Sequence, residues 1–265
     1  MVIDGKKIAA EVIEELAHER EHFAVPVSLG VVMAEGDAAS ASFVRIKERV
    51  ASKLGVGLVR EFLTPAMQTQ DALDAVARLV ETTEGIIVQL PLPPQFDTET
   101  ILSAVPASHD VDAINPTQTN RIVQAPVAEA IEEILSRANV TAKNKKAVVV
   151  GAGRLVGAPA AALLRALGAQ VVVVTESEGS LEELRDADVV VLGAGKSGMI
   201  LPSMLKDGLV LIDAGTSEQG GRVMGDADPS CAEVASIFTP VPGGVGPIAV
   251  AMIFKNLLTL ANIKK

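Results

Sequence analysis

A short apolar run, Ala147–Val150, leads into Gly151-Ala152-Gly153-Arg154-Leu155-Val156-Gly157 and then into a helical pattern with Pro159 near its first turn. Alone the motif is weak, and its place between a strand and a helix is what constrains the fold. A strand has to stop, turn sharply on glycines and hand over to a helix, because residues without a Cβ allow both the turn and the close approach of another group. The helix N-terminus that follows offers unpaired N–H groups and partial positive charge, a ready site for a pyrophosphate. The spacing is GxGxxxG, one residue longer than the commonest form, and a purely structural turn would also satisfy it. The context adds weight. A second run, Gln170–Val174, ends in Thr175-Glu176, which places Glu176 where an acidic side chain accepts hydrogen bonds from ribose hydroxyls. A solvated charge at a strand end is the plainer reading of Glu176. Gly193-Ala194-Gly195-Lys196 and Asp213-Ala214-Gly215 put more glycines at the ends of later runs.

Elsewhere, short β-branched runs alternate with longer helical patterns, which indicates a two-domain α/β fold with parallel sheets and crossover helices. Strands are predicted at Val25–Met33, Gly57–Phe62 and Gly85–Leu90, with helices near Ser40–Leu54 and Gln70–Glu81. The second half offers Ala147–Val150, Gln170–Val174, Asp188–Leu192 and Leu209–Ile212, with helices near Pro159–Leu167 and Leu181–Arg185. Polar, irregular stretches at Asp110–Gln124 and Asn139–Lys146 bracket a connecting helix. The expected organisation is a substrate domain over 1–124, a connecting helix over 125–138 and a Rossmann-like dinucleotide domain over 139–246. A final helix, 247–265, returns to the first domain.

Composition excludes several classes. The net charge of −10 argues against a nucleic-acid backbone as partner, and aromatic residues are only 2%, all phenylalanine, so base-stacking platforms are not expected. The longest C-terminal apolar stretch is interrupted by Lys255 and Asn256, and the N-terminus lacks a signal-peptide core, so no membrane association is expected. A single cysteine, Cys231, fits a reducing, cytoplasmic setting. His18-Glu19-Arg20-Glu21-His22 matches the HExxH pattern, but its window is charged and reads as a solvated helix, so no metal is expected.

The first half holds a second constellation. Phe43 and Lys47 are four apart and share a helix face, with Ser40 at the same edge and able to cap the helix. A Phe ring presents a flat surface to a planar heterocycle, and a desolvated Lys can handle a proton. A core Phe and a solvated Lys are the plainer reading of that pair. Gln89 ends an apolar strand and is followed by Leu90-Pro91-Leu92-Pro93, while Asp112 lies in Asp110-Val111-Asp112, where it could accept paired hydrogen bonds or simply cap a loop. Thr239–Pro247 packs prolines and glycines into a rigid, side-chain-poor loop that includes Gly243, Gly244 and Pro247.

These motifs, with Ile3-Asp4-Gly5-Lys6 and Gly36-Asp37 ahead of the Ser40–Lys47 segment, resemble the bifunctional methylenetetrahydrofolate dehydrogenase/cyclohydrolase family almost end to end. The resemblance implies that Lys47 is the general acid/base, Gln89 its hydrogen-bond partner and Asp112 the anchor of the pterin ring. Ser40, Phe43, Pro91, Gly243, Gly244 and Pro247 would line the folate site. Gly151, Gly153, Arg154, Leu155, Gly157, Thr175, Glu176, Gly193, Gly195 and Gly215 would hold the dinucleotide. Hydride would pass from 5,10-methylene-tetrahydrofolate to NAD or NADP, water would convert the methenyl cation to 10-formyl-tetrahydrofolate, and the enzyme would be a homodimer.

The chain also departs from the family. Phe43 replaces a tyrosine, Asp112-Ala113-Ile114-Asn115-Pro116 replaces Asp-Gly-Phe-His-Pro, and a Pro-Cys-Thr-Pro loop is missing. Ala152-Gly153 replaces an Arg-Ser pair and Thr175-Glu176 a His-Ser pair, so NAD is expected over NADP. A catalytically silent relative and a dehydrogenase of another metabolite are the rival readings; retention of Lys47, Gln89 and Asp112 opposes the first, and the Thr239–Pro247 loop the second.

Overall fold

The structure, a computed structural model, describes residues 1–36, 38–219 and 222–263, with backbone alone at 38–42 and 219. The chain divides into two compact units, one of residues 1–10 and 127–249 and the other of 11–126 and 250–265.

The second of these is built on helix α1 (Gly5–Glu21) from Glu11 onward, strand β1 (Ser28–Ala34), α2 (Ala38–Lys53), β2 (Gly57–Leu63), α3 (Thr69–Thr82), β3 (Gly85–Val88) and the short α4 (Thr98–Ser103). Its parallel sheet has the order β2-β1-β3. The central strand reads as a continuous apolar run because both faces are covered; Leu29, Val31 and Val32 are fully buried. Register pairs Val32 with both Glu61 and Val88, so β1 and β3 end side by side, and the Gln89 N–H continues the ladder to the Val32 carbonyl at 2.8 Å.

The other unit contains α5 (Pro126–Arg137), β4 (Lys146–Val150), α6 (Gly157–Ala166), β5 (Gln170–Val174), β6 (Val189–Leu192), β7 (Val210–Asp213), a hairpin of β8 (Ser217–Gln219) and β9 (Arg222–Met224), β10 (Ile237–Phe238) and the start of α7 (Val245–Ile263). Its parallel sheet runs β10-β7-β6-β4-β5. The chain steps from β4 outward to β5 and then crosses to β6 on the other side, so the switch point lies at the C-terminal end of β4, where such sheets bind ligands. Val2 pairs with Phe238 beyond β10, and the Ile3 N–H donates to the Phe238 carbonyl at 2.8 Å.

Three expectations need correction. The first strand begins at Ser28, and Val25 is exposed in the preceding loop. Leu181–Asp186 is a 3-10 turn opened by the Ser180 hydroxyl, which accepts from the Glu182 N–H; the segment is too short to settle as an α-helix. Helix α2 starts at Ala38, so Ser40 lies inside it and is not its cap. The final helix, α7, is by length and composition apolar enough to cross a membrane. Its apolar residues serve a core instead: Phe254, Leu257 and Leu258 are fully buried. The Asn256 amide donates to the Val111 and Gln124 carbonyls at 2.9 and 2.8 Å, so the helix does return to the unit that contains residues 11–126.

Candidate active site

Helix α2 turns Val44, Lys47, Val50 and Ala51 inward, which places an amine on the same buried face as apolar side chains. Lys47 is only 7% exposed. Its Nζ donates to Gln89 Oε1 at 2.8 Å, while Gln89 Nε2 donates to the Leu90 carbonyl at 3.0 Å. That second bond fixes the amide so that its oxygen faces the lysine. Burial lowers the Lys47 pKa, and the charge of Asp112 opposes the shift. Burial likewise raises Asp112 to about 6, with Lys47 pulling it down and Asp110 adding to the rise. Both groups are therefore drawn toward their neutral forms, and an amine in its neutral form can accept a proton.

Asp110 builds the loop that carries Asp112. Its carboxylate accepts from the Ile114 and Asn115 N–H groups at 3.1 and 2.9 Å, and Asn115 Nδ2 donates to the Ser103 and Val105 carbonyls at 3.0 and 2.7 Å. Within this turn Ala113 has φ of +49°, a left-handed conformation that glycine adopts more easily. Phe43, one turn before Lys47, is 45% exposed. Pro91 follows a cis peptide bond with Leu90. Asp37 and the Ser40 side chain lie outside the described residues.

In the other unit, the glycines after β4 differ in what surrounds them. A Cβ on Gly157 would lie 2.0 Å from the Gly151 carbonyl oxygen, so that position must lack one. At Gly153 a Cβ would meet nothing within 4 Å, and Ala152, Arg154 and Leu155 beside it are exposed. A tight turn with an open, side-chain-free rim fits a pyrophosphate. Thr175 Oγ1 accepts from the Glu178 N–H at 3.1 Å, closing the turn that presents Glu176. Gly243 and Gly244 meet the N-terminal segment: the Gly5 N–H donates to the Gly243 carbonyl at 2.9 Å, and Pro247 sits in the first turn of α7.

Residues 3–112 match the tetrahydrofolate dehydrogenase/cyclohydrolase catalytic domain and residues 125–265 match the NAD(P)-binding domain of the same proteins. The chain belongs to the tetrahydrofolate dehydrogenase/cyclohydrolase family. Among members of that family, the bifunctional protein FolD of Halothermothrix orenii is 37% identical over 270 residues, covering 96% of this chain and 95% of that protein. The crystal structure of the FolD methylenetetrahydrofolate dehydrogenase/cyclohydrolase of Campylobacter jejuni superposes with a TM-score of 0.93 at 27% identity, covering 100% of this chain and 99% of that one. The Trypanosoma brucei enzyme, solved with NADP and an inhibitor, gives 0.92 at 31% identity, covering 100% and 98%.

Sequence reasoning assigned no role to two acids in the dinucleotide unit of this family member. Asp226 is fully buried and accepts three backbone N–H groups, from Ala194, Gly195 and Lys196, at 2.7, 3.1 and 2.7 Å. Asp213 accepts from the Gly215 and Ala227 N–H groups at 3.0 and 2.8 Å, and burial raises its pKa to about 6. The available signal was Gly225-Asp226 itself, an acid beside a glycine within a turn.

Proposed function

We propose that this chain oxidises 5,10-methylene-tetrahydrofolate to the 5,10-methenyl form with a nicotinamide dinucleotide and hydrolyses that product to 10-formyl-tetrahydrofolate. The observation that carries the reading is the buried amine of Lys47, held by Gln89 Oε1 and electrostatically coupled to Asp112. When bound, the dinucleotide supplies the hydride acceptor; Gly151, Gly153, Arg154, Leu155, Gly157, Gly193, Gly195 and Gly215 would hold it. In the hydrolytic step water adds to the cationic carbon and gives a proton to Lys47, its pKa lowered and its Nζ kept in place by Gln89. Lys47 then passes that proton to N5 as the carbon–N5 bond breaks, and the hydroxyl releases its own proton to become the formyl carbonyl. Asp112 binds the N–H edge of the pterin, Phe43 stacks on the ring, and Pro91, Gly243, Gly244 and Pro247 complete the folate contacts. Lys47→Met is expected to cut hydrolysis by about 10²–10⁴-fold, the usual contribution of such a group, with folate binding within about tenfold. Unchanged hydrolysis would remove Lys47 from the mechanism.

NAD is the preferred dinucleotide in this reading. The Arg-Ser pair that suits a 2′-phosphate is Ala152-Gly153 here, and Glu176 suits a free ribose hydroxyl. Glu176→Ser should narrow the ratio of kcat/KM between NAD and NADP; a wild-type preference for NADP that this change leaves alone would mean Glu176 does not face the ribose. The enzyme is taken as a cytoplasmic homodimer. Its one cysteine, Cys231, is buried with a thiol pKa pushed up to about 11, which suits a packing role in a reducing compartment.

A further inference from the structure

Strands β5 and β6 flank β4, so the loops leaving their C-terminal ends stand on either side of the glycine turn that follows Val150. Glu176 comes from one side and Lys196 from the other, and they meet: Lys196 Nζ donates to the Glu176 carboxylate. The lysine's hydrogen bond also holds the Glu176 pKa below the ordinary carboxylate range. Both side chains stay largely exposed, so the pair itself adds little to stability and is free to rearrange around a ligand.

The main chain at Lys196 is far less free. One buried carboxylate, Asp226, takes the N–H groups of Ala194, Gly195 and Lys196. Gly215 makes that possible, since a Cβ there would lie 2.1 Å from the Asp226 carboxyl carbon. The acid therefore fixes the loop from beneath, with the Lys196 side chain leaving its upper side toward Glu176.

We propose that Lys196, positioned by Asp226, is a second specificity-determining residue for the dinucleotide. This rests on the reading that Glu176 lies at the adenosine ribose. A carboxylate with a lysine on it is not the bare negative charge that rejects a 2′-phosphate. With a free ribose diol, Glu176 accepts the hydroxyls while Lys196 balances its charge. With a 2′-phosphate, the ammonium turns from the carboxylate to the phosphate oxygens. Discrimination against NADP is consequently weaker than Glu176 alone would impose. Asp226 acts through the loop and is a positioning residue.

The test is the Kd of NAD and of NADP, read by isothermal titration, together with kcat and KM for each. These are measured on the protein as it stands for the wild type, Lys196→Gln, Glu176→Ser, the double variant and Asp226→Asn; Kd and KM should move together. Lys196→Gln is expected to lower kcat/KM for NADP about tenfold more than for NAD, the scale of one charge-assisted contact. In the Glu176→Ser background the loss should be larger, because the released ammonium is then the phosphate's main partner. Asp226→Asn should raise KM for both dinucleotides far more than it changes kcat. A ratio that Lys196→Gln leaves unmoved overturns the proposal, whichever dinucleotide the wild type prefers. A wild-type NADP preference insensitive to Glu176→Ser overturns the Glu176 reading instead, so the two failures are distinct. Lys196 is exposed, so its variant decides the matter even if Asp226→Asn does not fold.

Discussion

Asp112→Asn should make the protein more stable at neutral pH while weakening its hold on folate. The Asp112 carboxyl titrates near 3.8 when unfolded and at about 6 when folded. Between those values the folded chain keeps a proton that the unfolded chain has released. The free energy of unfolding then falls as pH rises, by about 1.4 kcal/mol per unit, or about 3 kcal/mol over the whole interval. This contribution is complete below the unfolded pKa and is lost as pH rises through about 6. Asparagine has no such titration. Lys47 loses the partner that opposes its own downward shift, which trims the gain to about 1–3 kcal/mol. Urea unfolding at pH 4.5 and 7.5, followed by circular dichroism, reads the difference between variant and wild type, which should grow by that amount toward the higher pH. Folate KM should rise at least tenfold, since each lost charge-assisted bond is worth about 1.5–3 kcal/mol. A difference that is flat with pH would refute the reasoning, because Asp112 would then titrate like an exposed acid.

Gly153→Ala and Gly157→Ala should separate ligand binding from folding. An added Cβ at Gly153 has nothing within 4 Å, so its unfolding midpoint should barely move while dinucleotide KM rises; at Gly157 the Cβ falls 2.0 Å from a carbonyl oxygen, and stability should drop by about 1–3 kcal/mol or more. Equal losses of stability in the two variants would contradict the assignment. Asn256→Ala strips the Val111 and Gln124 carbonyls of a buried donor and should cost about 1–3 kcal/mol in urea unfolding; an unchanged midpoint would show that other groups satisfy them.

Burial on both sides leaves runs such as Val148–Val150 and Ile86–Val88 with no polar interruption, whereas the edge strands β2 and β5 were located by their β-branched and apolar residues although they are largely exposed or half-buried. Elements created by distant pairing left no local trace. Strand β10 is two residues long and exists through Val210 and Leu211, while β8 and β9 are three residues each and pair only with one another. The same divide runs through the site. The resemblance pointed to Lys47, Gln89 and Asp112, which the structure brings together, yet helical spacing placed Phe43 and Lys47 on one face without revealing that Phe43 is exposed and the amine buried. Asp226 was invisible as a loop anchor because its partners lie 30 to 32 residues earlier, and only the fold brings Gly215 against its carboxyl group.

Helices α1 and α7 each contribute to both compact units, because the chain changes unit after Ala10, Pro126 and Ala249. Neither half is thus a cassette that one cut can lift out. A polypeptide ending at Pro126 would lack the Phe254, Leu257 and Leu258 side chains that fill its core, and one beginning at Val127 would carry those same side chains with nothing of their own unit to cover them. It would also lose the Val2 pairing beyond β10. A chimera between relatives that respects the physical units therefore needs three junctions, and a single-crossover exchange in the linker at 126 inherits two mismatched cores.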